Sequence, residues 1–232
     1  MSQIVFYALN WRARHTGQFD FGQFSVDESM LLGQSMMIIT AMYGPQTWAN
    51  FNLFGLTSDV LLMAVLSASI VQNCTLALWT VQQHYRDHPQ QRRFYDERFY
   101  ELGNLIVFHV SLVLWNLVGT FEHSPVCFVT TVSFAFAHLV HRLIICDVAQ
   151  QRSRRVQYVV VPFVMVGVLS LFEYLLQERI FFGISMNNGT IVTLVMLYTT
   201  CVMVSYAMRC MLDISYTLNI YVFKINHVEK SN

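Results

Sequence analysis

The stretch SPVCFVTTVSFAFAHLVHRLIICD, residues 124–147, decides how this chain is read. Between Pro125 and Cys146 the only formal charge is Arg142. With a rise of about 1.5 Å per residue, this run is long enough as a helix to cross the roughly 30 Å hydrocarbon core of a bilayer. Ser124 suits the N-cap, and Pro125 suits the first helical turn. Near the far end stand His138, His141 and Arg142, on adjoining parts of one helical face. An arginine so close to an apolar run is expected to snorkel to the interface or to line a watery cavity between helices.

The same grammar recurs at residues 26–43, 60–80, 102–119, 156–176 and 190–210, which gives six expected spans. Ser25-Val26-Asp27-Glu28 reads as a capping box that opens the first of them, and Gly44-Pro45 closes it. Thr57-Ser58-Asp59 caps the second. Pro162 in the fifth is able to kink it. The short apolar run 4–9 precedes a polar, aromatic stretch, 10–24, and reads as the end of an earlier helix. The chain therefore divides into an N-terminal segment 1–25, a membrane domain 26–210 and a tail 211–232.

Composition agrees. Of 232 residues, 55% are hydrophobic and only 12% charged, with mean hydropathy +0.44. A soluble domain carries about a quarter charged residues. The result is an all-α, polytopic membrane protein. The formal net charge is zero, which offers no case for nucleic-acid binding. The five cysteines lie in or beside apolar runs and form no CxxC pair, so neither a zinc site nor a disulfide framework is expected.

Basic residues sort by side. Arg12 and Arg14 precede the first span. Arg86, Arg92, Arg93 and Arg98 fall in the loop 81–101, and Arg152, Arg154 and Arg155 in the loop after the fourth span. Lys224 and Lys230 lie in the tail. The alternate loops hold only Arg179. The positive-inside rule then places both termini in the cytosol. On this reading Asn188-Gly189-Thr190 is a glycosylation sequon on the lumenal side, whereas Asn73-Cys74-Thr75 is buried in a span.

Candidate chemistry is sparse. His138, His141 and Arg142 are the best candidates for contact with an anionic lipid headgroup, against the simpler reading of a helix end anchored at the interface. His109 and Asn116 share a face and suit an interhelical hydrogen bond. Glu173 reads as a snorkelling end residue. No P-loop, G-x-S-x-G or H-E-x-x-H occurs, and the aspartates are scattered. Metal-dependent phosphoryl transfer needs gathered oxygen ligands. No catalytic residue and no metal ligand is therefore assigned.

Several stretches together resemble one family. Asn10-Trp11-Arg12-Ala13-Arg14-His15-Thr16-Gly17 is similar to a HWEKYNTG-like segment of the choline- and ethanolamine-phosphotransferases, a branch of the CDP-alcohol phosphotransferases. Residues 24–48, FSVDESMLLGQSMMIITAMYGPQTW, resemble the family's fifth helix and its Trp-bearing exit. His123-Ser124-Pro125 and the run from Ala135 to Cys146 resemble its eighth. Asn219-Ile220-Tyr221-Val222-Phe223-Lys224-Ile225 resembles the closing segment of ethanolamine-type members.

The resemblance implies a ten-helix enzyme of the endoplasmic reticulum or Golgi, of which this chain matches the C-terminal six-helix half. Such enzymes transfer phosphoethanolamine or phosphocholine from its CDP ester to diacylglycerol, with Mg²⁺ or Mn²⁺, usually as dimers. Their D-G-x-x-A-R…G…D…D signature does not occur here, and there is no Asp-Gly pair. The chain is expected to bind no metal itself and to be inactive alone. Its expected partners are diacylglycerol and phospholipid, a second copy, or a full-length homologue. A non-catalytic paralogue that modulates such an enzyme, and a lipid-binding membrane protein, stay open as alternatives.

Overall fold

The computed structural model describes residues 2–18, 26–44, 46–49, 52–53, 56–90, 95–117, 119–176 and 188–218. The helices are α1 (Ser2–Thr16), α2 (Val26–Tyr43), α3 (Gln46–Ala49), α4 (Ser58–Asp87), α5 (Glu97–Asn116), α6 (Thr120–His123), α7 (Pro125–Val148), α8 (Val161–Leu176) and α9 (Asn188–Leu218). Two short strands, β1 (Asn52–Leu53) and β2 (Leu56–Thr57), pair antiparallel before α4.

Among the described residues, four helices are long and apolar enough to cross a membrane: Met63–Asp87, Pro125–Val148, Tyr158–Leu176 and Gly189–Thr217. By that measure the chain is an integral membrane protein. The runs expected at 26–43 and 102–119 are helical too, but more polar. α2 carries Asp27, Glu28 and Gln34, and α5 spends its first turns on Glu97, Arg98 and Glu101.

Helix boundaries differ from the sequence reading in several places: α5 runs from Glu97 to Asn116 rather than over 102–119, and α9 continues to Leu218 rather than 210. α1 continues past Leu9 to Thr16, because Trp11, Arg12, Arg14 and His15 are buried and pack inward. Gly17, at φ +69°, then stops it, its N–H donating to the Ala13 carbonyl. α4 runs to Asp87, well into the expected loop, because Val81 and Tyr85 are also buried. Pro162 does not kink a span. It sits in the first turn of α8, where proline costs no hydrogen bond, after a 3₁₀ turn at Tyr158–Val160.

Pro125 is the first residue of α7, and the Ser124 carbonyl accepts the Phe128 N–H at 3.0 Å. Thr57 holds the N-cap of α4 with extended backbone, without a side-chain cap bond. The Ser25 capping box, the loop 177–187 and the closing stretch 219–225 lie outside the described residues.

The chain forms two compact units. The first holds the described residues up to Leu105 together with Val140–Arg155. Its apolar centre joins Val5 and Leu9 of α1 to Ile70 of α4. The second holds Ile106–Leu139 and the described residues from Val156 onward. Its centre is aromatic: Phe163 meets Phe108 edge-on at 5.0 Å and Trp115 at 5.8 Å, and all three are buried. Gly167 of α8 lies against the Ser111 backbone of α5, the close approach that a missing side chain permits.

Candidate functional site

The polar residues of the first unit converge on α1. Glu97 and Glu101 are four apart on α5 and so share a face. Arg14 reaches both, Nη2 lying 2.9 Å from Glu97 Oε2 and Nε 2.9 Å from Glu101 Oε1. The same Nη2 donates to the Gln151 carbonyl at 2.9 Å, and the Ser153 N–H donates to Glu97 at 2.8 Å. Asn104 donates to the Arg155 carbonyl at 3.0 Å. The basic loop after α7 is thus pinned to the first turns of α5.

His15 extends the network. Its Nε2 lies 3.0 Å from Glu101 Oε2, and its Nδ1 2.7 Å from the Tyr85 hydroxyl. A carboxylate only accepts, so His15 carries a proton on Nε2. The Tyr85 hydroxyl donates to Nδ1 when the ring is neutral and accepts from it when the ring is charged. Trp11 stands edge-on to His15 at 5.1 Å. The Tyr7 hydroxyl donates to the Glu101 carbonyl at 3.1 Å. Burial raises the pKa of this phenol. The nearby Glu101 carboxylate pushes the same way and Arg14 opposes, so Tyr7 remains a donor.

A carboxylate, an imidazole and a phenol in series are the parts of a proton relay. Here the relay is closed off. The side chains of His15 and Glu101 are 0% and 1% exposed, so no substrate reaches them. Chemically the arrangement is a clamp that ties α1, α4, α5 and the 151–155 loop together.

Beside it lies a cavity of about 380 Å³ lined by Thr16, Gln18, Thr80, Gln83, His84, Asp87 and His88. Among the described residues that line it, Asp87 carries the one formal charge.

The residues singled out from sequence fall elsewhere. His138 is buried in the second unit, its ring edge-on to Tyr206 at 4.8 Å. His141 is exposed and Arg142 half-buried on the part of α7 that belongs to the first unit. Asn116, the last residue of α5, accepts the Phe121 N–H of the short helix α6 on its Oδ1 at 3.3 Å. The clamp itself was missed, because 10–24 read as a polar stretch outside the spans and 81–101 as a loop. The available signal was an i, i+4 carboxylate pair in a chain poor in charge.

Glu97 and Glu101 are the buried carboxylates among the described residues. Each already faces the Arg14 guanidinium, whose charge repels a second cation. They do not fit the oxygen cage that Mg²⁺ or Mn²⁺ requires, and no chemistry is assigned through a metal.

No family model matches the chain. Ethanolaminephosphotransferase 1 of Homo sapiens and that of Pongo abelii each align over 229 residues at 21% identity, covering 95% of this chain and 54% of the relative. The chain is distantly similar to these proteins along nearly its whole length, and it spans about half of theirs.

Proposed function

We propose that this chain is the membrane half of an ethanolaminephosphotransferase-like assembly of phospholipid synthesis, and that it works with a polypeptide carrying the aspartate signature. The observation that carries this reading is similarity over 95% of the chain to two ethanolaminephosphotransferases. The absence of any Asp-Gly pair, and the engagement of both buried carboxylates by Arg14, support inactivity of this chain alone. α2 and α5 complete six spans, with both termini cytosolic, in a membrane of the endoplasmic reticulum or Golgi. The assembly's lipids are diacylglycerol and phospholipid, and Mg²⁺ or Mn²⁺ belongs to the partner.

Of the three residues singled out on α7, His141 and Arg142 are the headgroup-facing ones within such an assembly, and His138, buried against Tyr206, is not given that role. Arg142→Ala is expected to lower headgroup transfer by the assembled pair several-fold, and unchanged transfer removes that role.

Assembly is tested by co-expressing this chain with the tagged, signature-bearing part of human ethanolaminephosphotransferase 1. Recovery of the two in equal amounts from detergent is expected. Recovery of the tagged part alone, with this chain inserted in the membrane, overturns the reading.

A further inference from the structure

The chain that leaves α7 turns sharply and is then tied down. Gln150 takes left-handed backbone, φ +51°, just past the end of the helix. Its N–H donates to the Asp147 carbonyl at 3.0 Å, and the Gln151 N–H donates to the Cys146 carbonyl at 2.9 Å. These two bonds form a Schellman-type stop, made here without glycine. The backbone that follows is fastened from within the first unit. Arg14 donates to the Gln151 carbonyl at 2.9 Å, Glu97 accepts the Ser153 N–H at 2.8 Å, and Asn104 donates to the Arg155 carbonyl at 3.0 Å.

With its backbone held inward, the loop leaves its arginines outside. Arg152, Arg154 and Arg155 are all exposed. Residues 149–157 include these three and no Asp or Glu. Arg152 lies 3.8 Å from Glu97, beyond hydrogen-bonding distance, and its side chain is 79% exposed. The Arg155 guanidinium stands 5.4 Å from the ring of Tyr100, an exposed residue in the first turns of α5.

Two helices long and apolar enough to cross a membrane, Pro125–Val148 and Tyr158–Leu176, flank this loop. So short a connection between two spans stays at the bilayer surface. Exposed tyrosine rings belong at that same level, among the headgroups. Clustered arginines there meet lipid phosphates, which a guanidinium can hold through two parallel hydrogen bonds. A slack loop would lose backbone freedom on binding, and the clamp has already removed that freedom.

We infer that the clamped loop 151–155 is a binding site for anionic phospholipid, the lipid phosphate being held by Arg152, Arg154 and Arg155 beside the exposed ring of Tyr100. The site uses neither His141 nor Arg142, and it needs no signature-bearing partner.

The test uses the full chain purified in dodecyl maltoside, where membrane orientation plays no part. Phosphatidylglycerol or phosphatidylcholine with the same acyl chains is added, and lipid adducts are measured by native mass spectrometry. One basic residue near an anionic lipid surface strengthens attachment roughly five-fold, so phosphatidylglycerol adducts should exceed phosphatidylcholine adducts by at least that factor. Replacing all three arginines together, Arg152→Gln, Arg154→Gln and Arg155→Gln, should abolish the preference. These are exposed positions, so the unfolding midpoint in SDS should stay in place. Arg86→Gln with Arg209→Gln removes exposed charge elsewhere and should keep the preference. Asn104→Ala releases the Arg155 carbonyl, keeps all three arginines, and should weaken the preference roughly two-fold or more. Equal retention of the two lipids, or equal losses in the triple and double variants, would overturn the inference by showing charge without a site. Displacement of the lipid by millimolar inorganic phosphate would overturn it by showing a site for free anions. Full preference in Asn104→Ala would overturn the part played by the clamp.

Discussion

Glu101→Ala is expected to destabilise the first unit by about 3–5 kcal/mol, the usual cost of stripping one partner from a buried ion pair. Glu101 holds Arg14 through one carboxylate oxygen and His15 through the other. Removing it takes one of its carboxylate partners from the guanidinium, which is 1% exposed. It also frees the His15 ring from the contact that fixes its proton on Nε2. Surface pairs give no such effect, because water replaces the lost partner at little cost. Arg152, whose side chain is 79% exposed and 3.8 Å from Glu97, supplies the comparison. Arg152→Ala should change stability by less than about 1 kcal/mol. Unfolding of the purified chain in mixed detergent–SDS micelles, followed by tryptophan fluorescence, measures both. Equal losses for the two variants would show that burial of the clamp does not govern its strength.

Gly167→Leu is expected to be the most damaging change in the second unit. A Cβ at this position would stand 2.9 Å from the Ser111 carbonyl oxygen and 3.2 Å from the Ser111 Cα. Both are backbone atoms of a helix and cannot swing aside, so α5 and α8 must separate. Overpacking of this kind costs about 1–3 kcal/mol, and leucine falls at the upper end. The gain from replacing a helical glycine, about 1 kcal/mol, does not offset it. Gly103, also within α5, has nothing within 4 Å of its would-be Cβ. Gly103→Ala should therefore be neutral or slightly stabilising in the same SDS titration. A Gly167→Leu protein that unfolds with the wild-type midpoint would contradict the close packing of α5 on α8.

The contrast between these two glycines marks what was legible in the sequence. Hydrophobic runs and their breaks located the helices, since apolar length and Gly or Pro punctuation are local properties. Pro125 and Thr57 were placed correctly for the same reason. What Gly167 touches is a tertiary fact, with no trace in its neighbours. Pro162 went astray because a proline inside an apolar run reads equally as a kink or as a first turn, and the 3₁₀ turn before it decides the matter.

The clamp was hidden by a different effect. Arg14, His15, Glu97 and Glu101 are polar or charged, and such residues in a loop-like stretch read as solvated. Their burial follows from mutual pairing across 83 or more residues of sequence, which no local pattern encodes. His138, His141 and Arg142 were visible because they interrupt an apolar run. The same local visibility gave no information on which of them would be buried.

The central claim is that this chain contributes the membrane half of a headgroup transferase and has no transfer site of its own. The direct measurement is CDP-ethanolamine:diacylglycerol headgroup transfer, with Mg²⁺, in membranes of cells lacking their own phosphotransferases. This chain would be expressed alone, and beside the signature-bearing part of human ethanolaminephosphotransferase 1. The account predicts background transfer from either polypeptide alone and transfer well above background from the pair. Transfer by this chain alone, or background transfer from a pair that co-purifies intact, would contradict it.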